Sequence, residues 1–142
     1  MAEVQTLVYA GPKKSSETLR RIVQKAGWRF RWNTEWRNAL DVAVRVRATV
    51  FIYDRDANPC EWSEALGNAL HIANAPAFLM ASRFADERMW AELLVQSGYD
   101  LLLTPFEPHE VLRTIESAHR QRSRRQECSL ISTTAASGLH CV

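Results

Sequence analysis

The sequence predicts an α/β domain built on a doubly wound parallel sheet with strand order 2-1-3-4-5, and three observations carry that prediction. Short apolar runs alternate with helical patterns five times along the chain, and five βα units with short links imply a parallel sheet covered on both faces. The run Val50-Phe51-Ile52-Tyr53 is uniformly β-branched or aromatic and ends in Asp54; an unbroken apolar run of this kind reads as a strand buried on both faces. The second run alternates instead, setting Trp28, Phe30 and Trp32 against Arg29 and Arg31. One wet face suits an edge strand. Placing it at the edge gives the order 2-1-3-4-5 and a crevice between strands one and three, where open α/β sheets hold their chemistry.

Each element follows from local pattern. Strand one covers residues 6–10. Gly11-Pro12-Lys13-Lys14 is a loop, and Ser15 or Ser16 is expected to cap a helix with Leu19, Ile22, Val23 and Ala26 on its inner face and Gly27 as its stop. Strand two covers 28–32. Asn33 or Thr34 caps the second helix, whose inner face is read as Trp36, Leu40, Ala43 and Val44. Strand three covers 49–53, and the third helix starts near Glu61 with Trp62, Leu66, Leu70 and Ala73 inward. Strand four covers 77–81 and the fourth helix 85–97, with Met89, Trp90, Leu93 and Leu94 inward. Strand five covers 101–103. The fifth helix starts at Pro108, a residue suited to a first helical position, and turns Val111, Leu112, Ile115 and Ala118 to the core. The periodicity stops near Arg125. The expected organisation is therefore one domain over 1–125 and a flexible polar tail over 126–142.

Composition narrows the function classes. A net charge of +2 is too small to argue for nucleic acid by itself. Cys60, Cys128 and Cys141 are odd in number and lack metal-ligand spacing, which fits a reducing cytosol better than a disulfide framework. No apolar run has the length of a membrane span and the N-terminus lacks a signal-peptide pattern, so the expectation is a cytoplasmic protein.

In the predicted fold, Asp54 and Asp56 converge with Ala10, Gly11 and Lys13 from loop one, Ala81, Ser82 and Arg83 from loop four, and Thr104 and Pro105 from loop five. The motifs Val50-Phe51-Ile52-Tyr53-Asp54, Gly98-Tyr99-Asp100 and Leu103-Thr104-Pro105-Phe106-Glu107-Pro108 resemble the response-regulator receiver family of two-component and phosphorelay signalling. The resemblance runs from about Thr6 to Arg122, and Asp54-Arg55-Asp56 is similar to a bacterial subgroup of it. It implies a flavodoxin-like (βα)5 fold, with Asp54 as phospho-acceptor and a cis peptide at Thr104-Pro105.

The family's remaining chemistry is missing from the matching positions. Its Mg²⁺-binding acid pair reads Ala10 and Gly11, its phosphoryl-binding hydroxyl reads Ala81 with Ser82 adjacent, and its lysine reads Thr104. Without the acid pair a Mg²⁺ ion has Asp54 and Asp56 as its carboxylate ligands, and a fixed cation near Asp54 would compete with it, so no cofactor is expected. A Lys13 or Lys14 ammonium is expected to replace part of the metal's charge beside Asp54. Asp56 is read as facing solvent or capping the next turn.

The leading expectation is a degenerate, stand-alone receiver domain, not an enzyme and without a catalytic residue. It would act through contact with a histidine kinase or a downstream protein, or as a homodimer through helix four, strand five and helix five. The exposed positions there are Arg88, Glu92, Gln96, Tyr99, His109 and Arg113. A second reading is a phosphorylatable receiver whose missing carboxylate comes from Asp56 or Glu17. A third, from another class, is a haloacid-dehalogenase-like phosphatase with Asp54 as nucleophile and Asp56 as acid/base.

Overall fold

The computed structural model of the chain describes residues 5–83 and 100–135. The strands are β1 (Thr6–Ala10), β2 (Arg29–Asn33), β3 (Val50–Asp54), β4 (Ala77–Ser82) and β5 (Asp100–Leu103). The helices are α1 (Lys13–Lys25), α2 (Trp36–Val46), α3 (Trp62–Leu70) and α4 (Pro108–Ala135). The strands form one parallel sheet in the order β2-β1-β3-β4-β5. The helix expected over 85–97 lies outside the described residues. No helix among the described residues is long and apolar enough to cross a membrane.

The sheet divides two cores. On one face Val8, Phe51, Tyr53, Phe78 and Met80 pack with Trp36, Ala39, Leu40 and Ala43 of α2 and Ala65, Leu66 and Ala69 of α3. On the other, Leu7, Tyr9, Ile52 and Leu79 pack with Leu19 and Val23 of α1 and Val111, Ile115 and Ala118 of α4. Every residue of β1, β3 and β4 is buried, whereas β2 is largely open. This is the contrast between continuous and alternating apolar runs expected of inner and edge strands.

Several local expectations are corrected. Pro12, not Ser15 or Ser16, precedes α1, and the Ser16 hydroxyl instead donates to the Lys13 carbonyl at 2.6 Å. Asn33 does serve the entry to α2, its Oδ1 accepting the Glu35 N–H at 2.9 Å. On α2 and α3 the alanines, not Val44, Leu70 or Ala73, meet the sheet. Val44 is 52% exposed and Leu70 37%. Small side chains let a helix approach the strands closely, so the inner stripe is decided by volume as well as by hydropathy. The last helix continues through residues 126–135, read from the sequence as tail. Arg, Gln, Glu and Leu favour helix, and no Gly or Pro interrupts before Gly138. Arg120, Arg122, Arg124 and Arg125 therefore lie within the helix, and Arg122 donates to the Ala75 and Asn74 carbonyls at 2.8 and 2.9 Å.

His119 on α4 meets the Trp28 ring edge-on at 5.9 Å, and its Nδ1 has no hydrogen-bond partner. Burial, with the Arg122 charge adding to it, holds its pKa below the ordinary histidine value. The neutral form is thus favoured in the folded state. Its contribution is complete above the unfolded pKa of about 6.5 and is lost as pH falls toward the depressed folded value. Urea unfolding should show stability declining from pH 7 to pH 5, with a smaller decline in His119→Phe. Equal declines in the two proteins would remove His119 as the cause.

Candidate functional site at the carboxyl ends of the strands

Asp54 closes β3 and is 5% exposed. Strand pairing persists to this point, since Asp54 lies opposite Ala81 and the Arg55 N–H bonds the Ala81 carbonyl at 2.9 Å. Side chains alternate along a strand, so Asp54 shares a sheet face with Ile52, and Ile52 lies beside Tyr9 in the register. The Tyr9 hydroxyl consequently reaches the carboxylate, donating to Asp54 Oδ2 at 2.7 Å. The other oxygen, Oδ1, accepts the Ala57 N–H at 3.1 Å. Both oxygens of the buried acid are therefore engaged.

Tyr9 is wholly buried, with Phe106 edge-on at a centroid distance of 6.0 Å. Burial first and the Asp54 charge second push its pKa far above the ordinary tyrosine value, against a smaller opposing effect from a Ser15 hydrogen bond. Tyr9 is thus a fixed donor. A desolvated hydroxyl paired with a carboxylate forms a short, charge-assisted bond.

Gly11 explains how the tyrosine fits. A Cβ at this position would lie 2.5 Å from both Tyr9 Cζ and the Tyr9 hydroxyl, and 2.8 Å from Asp54 Cβ. The Tyr9 ring passes through the volume that any side chain at position 11 would need. An acid cannot be restored at Gly11 while Tyr9 keeps this place. Ala10 is also wholly buried, facing α2 and α3 with Tyr53.

Asp56 forms a second, separate cluster. Its Oδ1 accepts the hydroxyl of buried Ser82 at 2.8 Å, and its Oδ2 accepts the Arg83 N–H at 2.8 Å with Arg83 Nε 3.7 Å away. Asp56 therefore ties the end of β4 to the loop after β3, correcting its reading as a solvent-facing or turn-capping residue. Thr104 adds β5 to this rim through its N–H to the Ser82 carbonyl at 3.1 Å. It precedes Pro105 through a cis peptide. Thr104 is half-buried and Pro105 exposed.

Lys13 corrects the charge-substitution expectation. It is exposed and lines a groove with Phe30 and Trp32 on the β2 side. Among the described residues no cation pairs with Asp54, and the Arg83 guanidinium faces Asp56 instead. Asp54, Asp56, Ser82 and Thr104 are thus gathered at the carboxyl ends of the strands as expected, while Lys13 is not. The donor set is poor for Mg²⁺: the acid-pair positions are Ala10 and Gly11, and each carboxylate oxygen of Asp54 and Asp56 already accepts a hydrogen bond within the protein. Among the described residues there is also no group of three His, Cys, Asp or Glu side chains placed to hold a metal.

Sequence reading missed Tyr9 as a site residue. The available signal was a phenol within an otherwise apolar inner strand, since a buried tyrosine usually finds a partner for its hydroxyl.

No family model matches the sequence, and no curated protein matches it either. Solved structures do match. The chemotaxis protein CheY4 of Vibrio cholerae is 19% identical with a TM-score of 0.72, over 82% of this chain and 99% of that one. A putative response regulator from Chloroflexus aurantiacus is 18% identical with a TM-score of 0.72, over 83% and 99%. A CheY-like response regulator receiver domain protein from Methanospirillum hungatei is 12% identical with a TM-score of 0.74, over 87% and 99%. The strand order, the position of Asp54 and these likenesses together give this chain the fold of CheY-like response-regulator receiver domains.

Proposed function

We propose that this protein is a degenerate receiver-type signalling domain that acts through protein–protein contact, with phosphoryl transfer to Asp54 slow or absent. The observation that carries the reading is the Tyr9 hydroxyl on Asp54 Oδ2, made possible by Gly11. A phospho-accepting carboxylate must present an oxygen to the donor phosphorus, with a cation neutralising the transferring oxygens. Here one oxygen is held by Tyr9 and the other by Ala57, and Gly11 stands where a metal-binding acid would be needed. The domain is not an enzyme in this reading. Its partner is a histidine kinase or a downstream signalling protein of the cytoplasm, or a second copy. The contact face would be β5 and α4 with the segment 84–99 that precedes β5 and lies outside the described residues.

Glu17, the other candidate for the missing carboxylate, is exposed on α1 beside Phe30 and Trp32, so both alternatives turn on Asp56, as a metal ligand or as the acid/base of a phosphatase. Its bonds to Ser82 and Arg83 weigh against either role.

The test is a Mg²⁺ titration into the millimolar range, followed through the backbone amide signals of Asp54, Arg55 and Ala57. These signals are expected to stay in place. Saturable shifts centred on them would establish a divalent-ion site and reject the proposal.

A further inference from the structure

We propose that the open edge of β2 docks an acidic, extended peptide segment of a partner protein, added to the sheet as a further strand. Among the described residues β2 pairs only with β1. The Arg29 N–H bonds the Gln5 carbonyl at 2.8 Å, and the Asn33 carbonyl accepts the Gly11 N–H at 3.2 Å, so these residues face inward. Alternation along the strand turns the N–H and C=O groups of Phe30 and Trp32 to the open side. That is the hydrogen-bonding template required for strand addition.

Charge defines the occupant. Lys13, Lys14, Arg20, Arg21 and Lys25 on α1 and Arg29 and Arg31 on β2 are all exposed, and Glu17 is the one acid from residue 13 to 33. None of the seven cations has an ion-pair partner among the described residues. The whole chain carries only +2, so residues 13–33 are strongly basic while the remainder is net acidic, and of these residues Lys13, Arg20 and Arg31 line the space between α1 and β2 together with Glu17. Between α1 and β2 lies a groove of about 270 Å³ floored by Phe30 and Trp32. Trp32 is 36% exposed and is fixed by its indole N–H to the Gly11 carbonyl at 2.7 Å. An extended segment alternating carboxylate and apolar side chains matches these features, with main-chain groups on the strand edge, carboxylates on the sheet face of Arg29 and Arg31, and apolar groups over Phe30 and Trp32 in the groove. A single-stranded nucleic acid is favoured less. It binds through successive stacking platforms, and Trp32 alone of the aromatic residues on this strand is classed as exposed.

The probe is a fluorescein-labelled peptide of alternating glutamate and valine, titrated with the full chain and read by fluorescence anisotropy. Saturable binding that weakens with salt is expected, falling roughly tenfold in Arg29→Glu/Arg31→Glu. Circular dichroism establishes that this variant folds, and Lys14→Glu gives a second charge reversal off the strand. The same peptide N-methylated at alternate residues keeps its charge but loses main-chain donors, so it should not bind. Absence of binding would show that the cations merely keep an open edge soluble. Equal binding of the N-methylated peptide, or tighter binding of oligothymidylate, would equally overturn the proposal.

Discussion

Gly11→Ala is expected to destabilise the protein by about 1–3 kcal/mol, the usual cost of inserting atoms into filled space. The backbone at Gly11 has no left-handed conformation, so the requirement for glycine is one of close approach. The new methyl group would lie 2.5 Å from the Tyr9 ring and hydroxyl and would displace the hydroxyl from Asp54. In a Tyr9→Leu background the same substitution should cost less, because the ring has gone. Some cost should remain from Asp54 Cβ at 2.8 Å. Urea unfolding of the four proteins measures this coupling, and a Gly11→Ala penalty that is identical in both backgrounds would contradict the packing described.

The second large effect belongs to the bond itself. Tyr9→Phe leaves a buried carboxylate oxygen without its hydroxyl donor, at a cost of about 1–3 kcal/mol. Asp54→Ala removes the acceptor of both Tyr9 and Ala57, and a similar or larger loss is expected. Because the two residues share one bond, the losses should not add. The double variant is expected to be more stable than the sum predicts by about 0.5–3 kcal/mol. Additivity within about 0.5 kcal/mol would mean that the contact contributes nothing to the fold. Asp54→Asn, which keeps an acceptor oxygen, should be milder than Asp54→Ala.

The fold was legible because burial on both faces leaves a plain record in sequence. Val50 to Tyr53 could be read as an inner strand and Trp28 to Trp32 as an edge, and the observed strands differ by a residue at their ends. Helix faces were less legible. Val44 and Leu70 satisfy the apolar period, yet Ala39, Ala65 and Ala69 take positions against the sheet beside the expected Trp36, Leu40, Ala43 and Leu66. Hydropathy alone does not say which apolar residue is small enough to approach it. At the site, Asp54 was found because its position follows from topology. Tyr9, Ser82 and Arg83 were assigned no such bonds, because these join groups 45, 26 and 27 residues apart and depend on register. Gly11 was read as a missing acid, whereas the structure gives its physical reason: the neighbouring tyrosine occupies the space.

In the proposed function, Tyr9 and Gly11 leave Asp54 unable to accept a phosphoryl group at a useful rate. Intact-mass measurement after incubation with acetyl phosphate and Mg²⁺ tests it most directly, with Asp54→Asn as the control. The protein is expected to keep its unmodified mass. A stoichiometric gain of one phosphoryl group, absent in Asp54→Asn, would contradict the account.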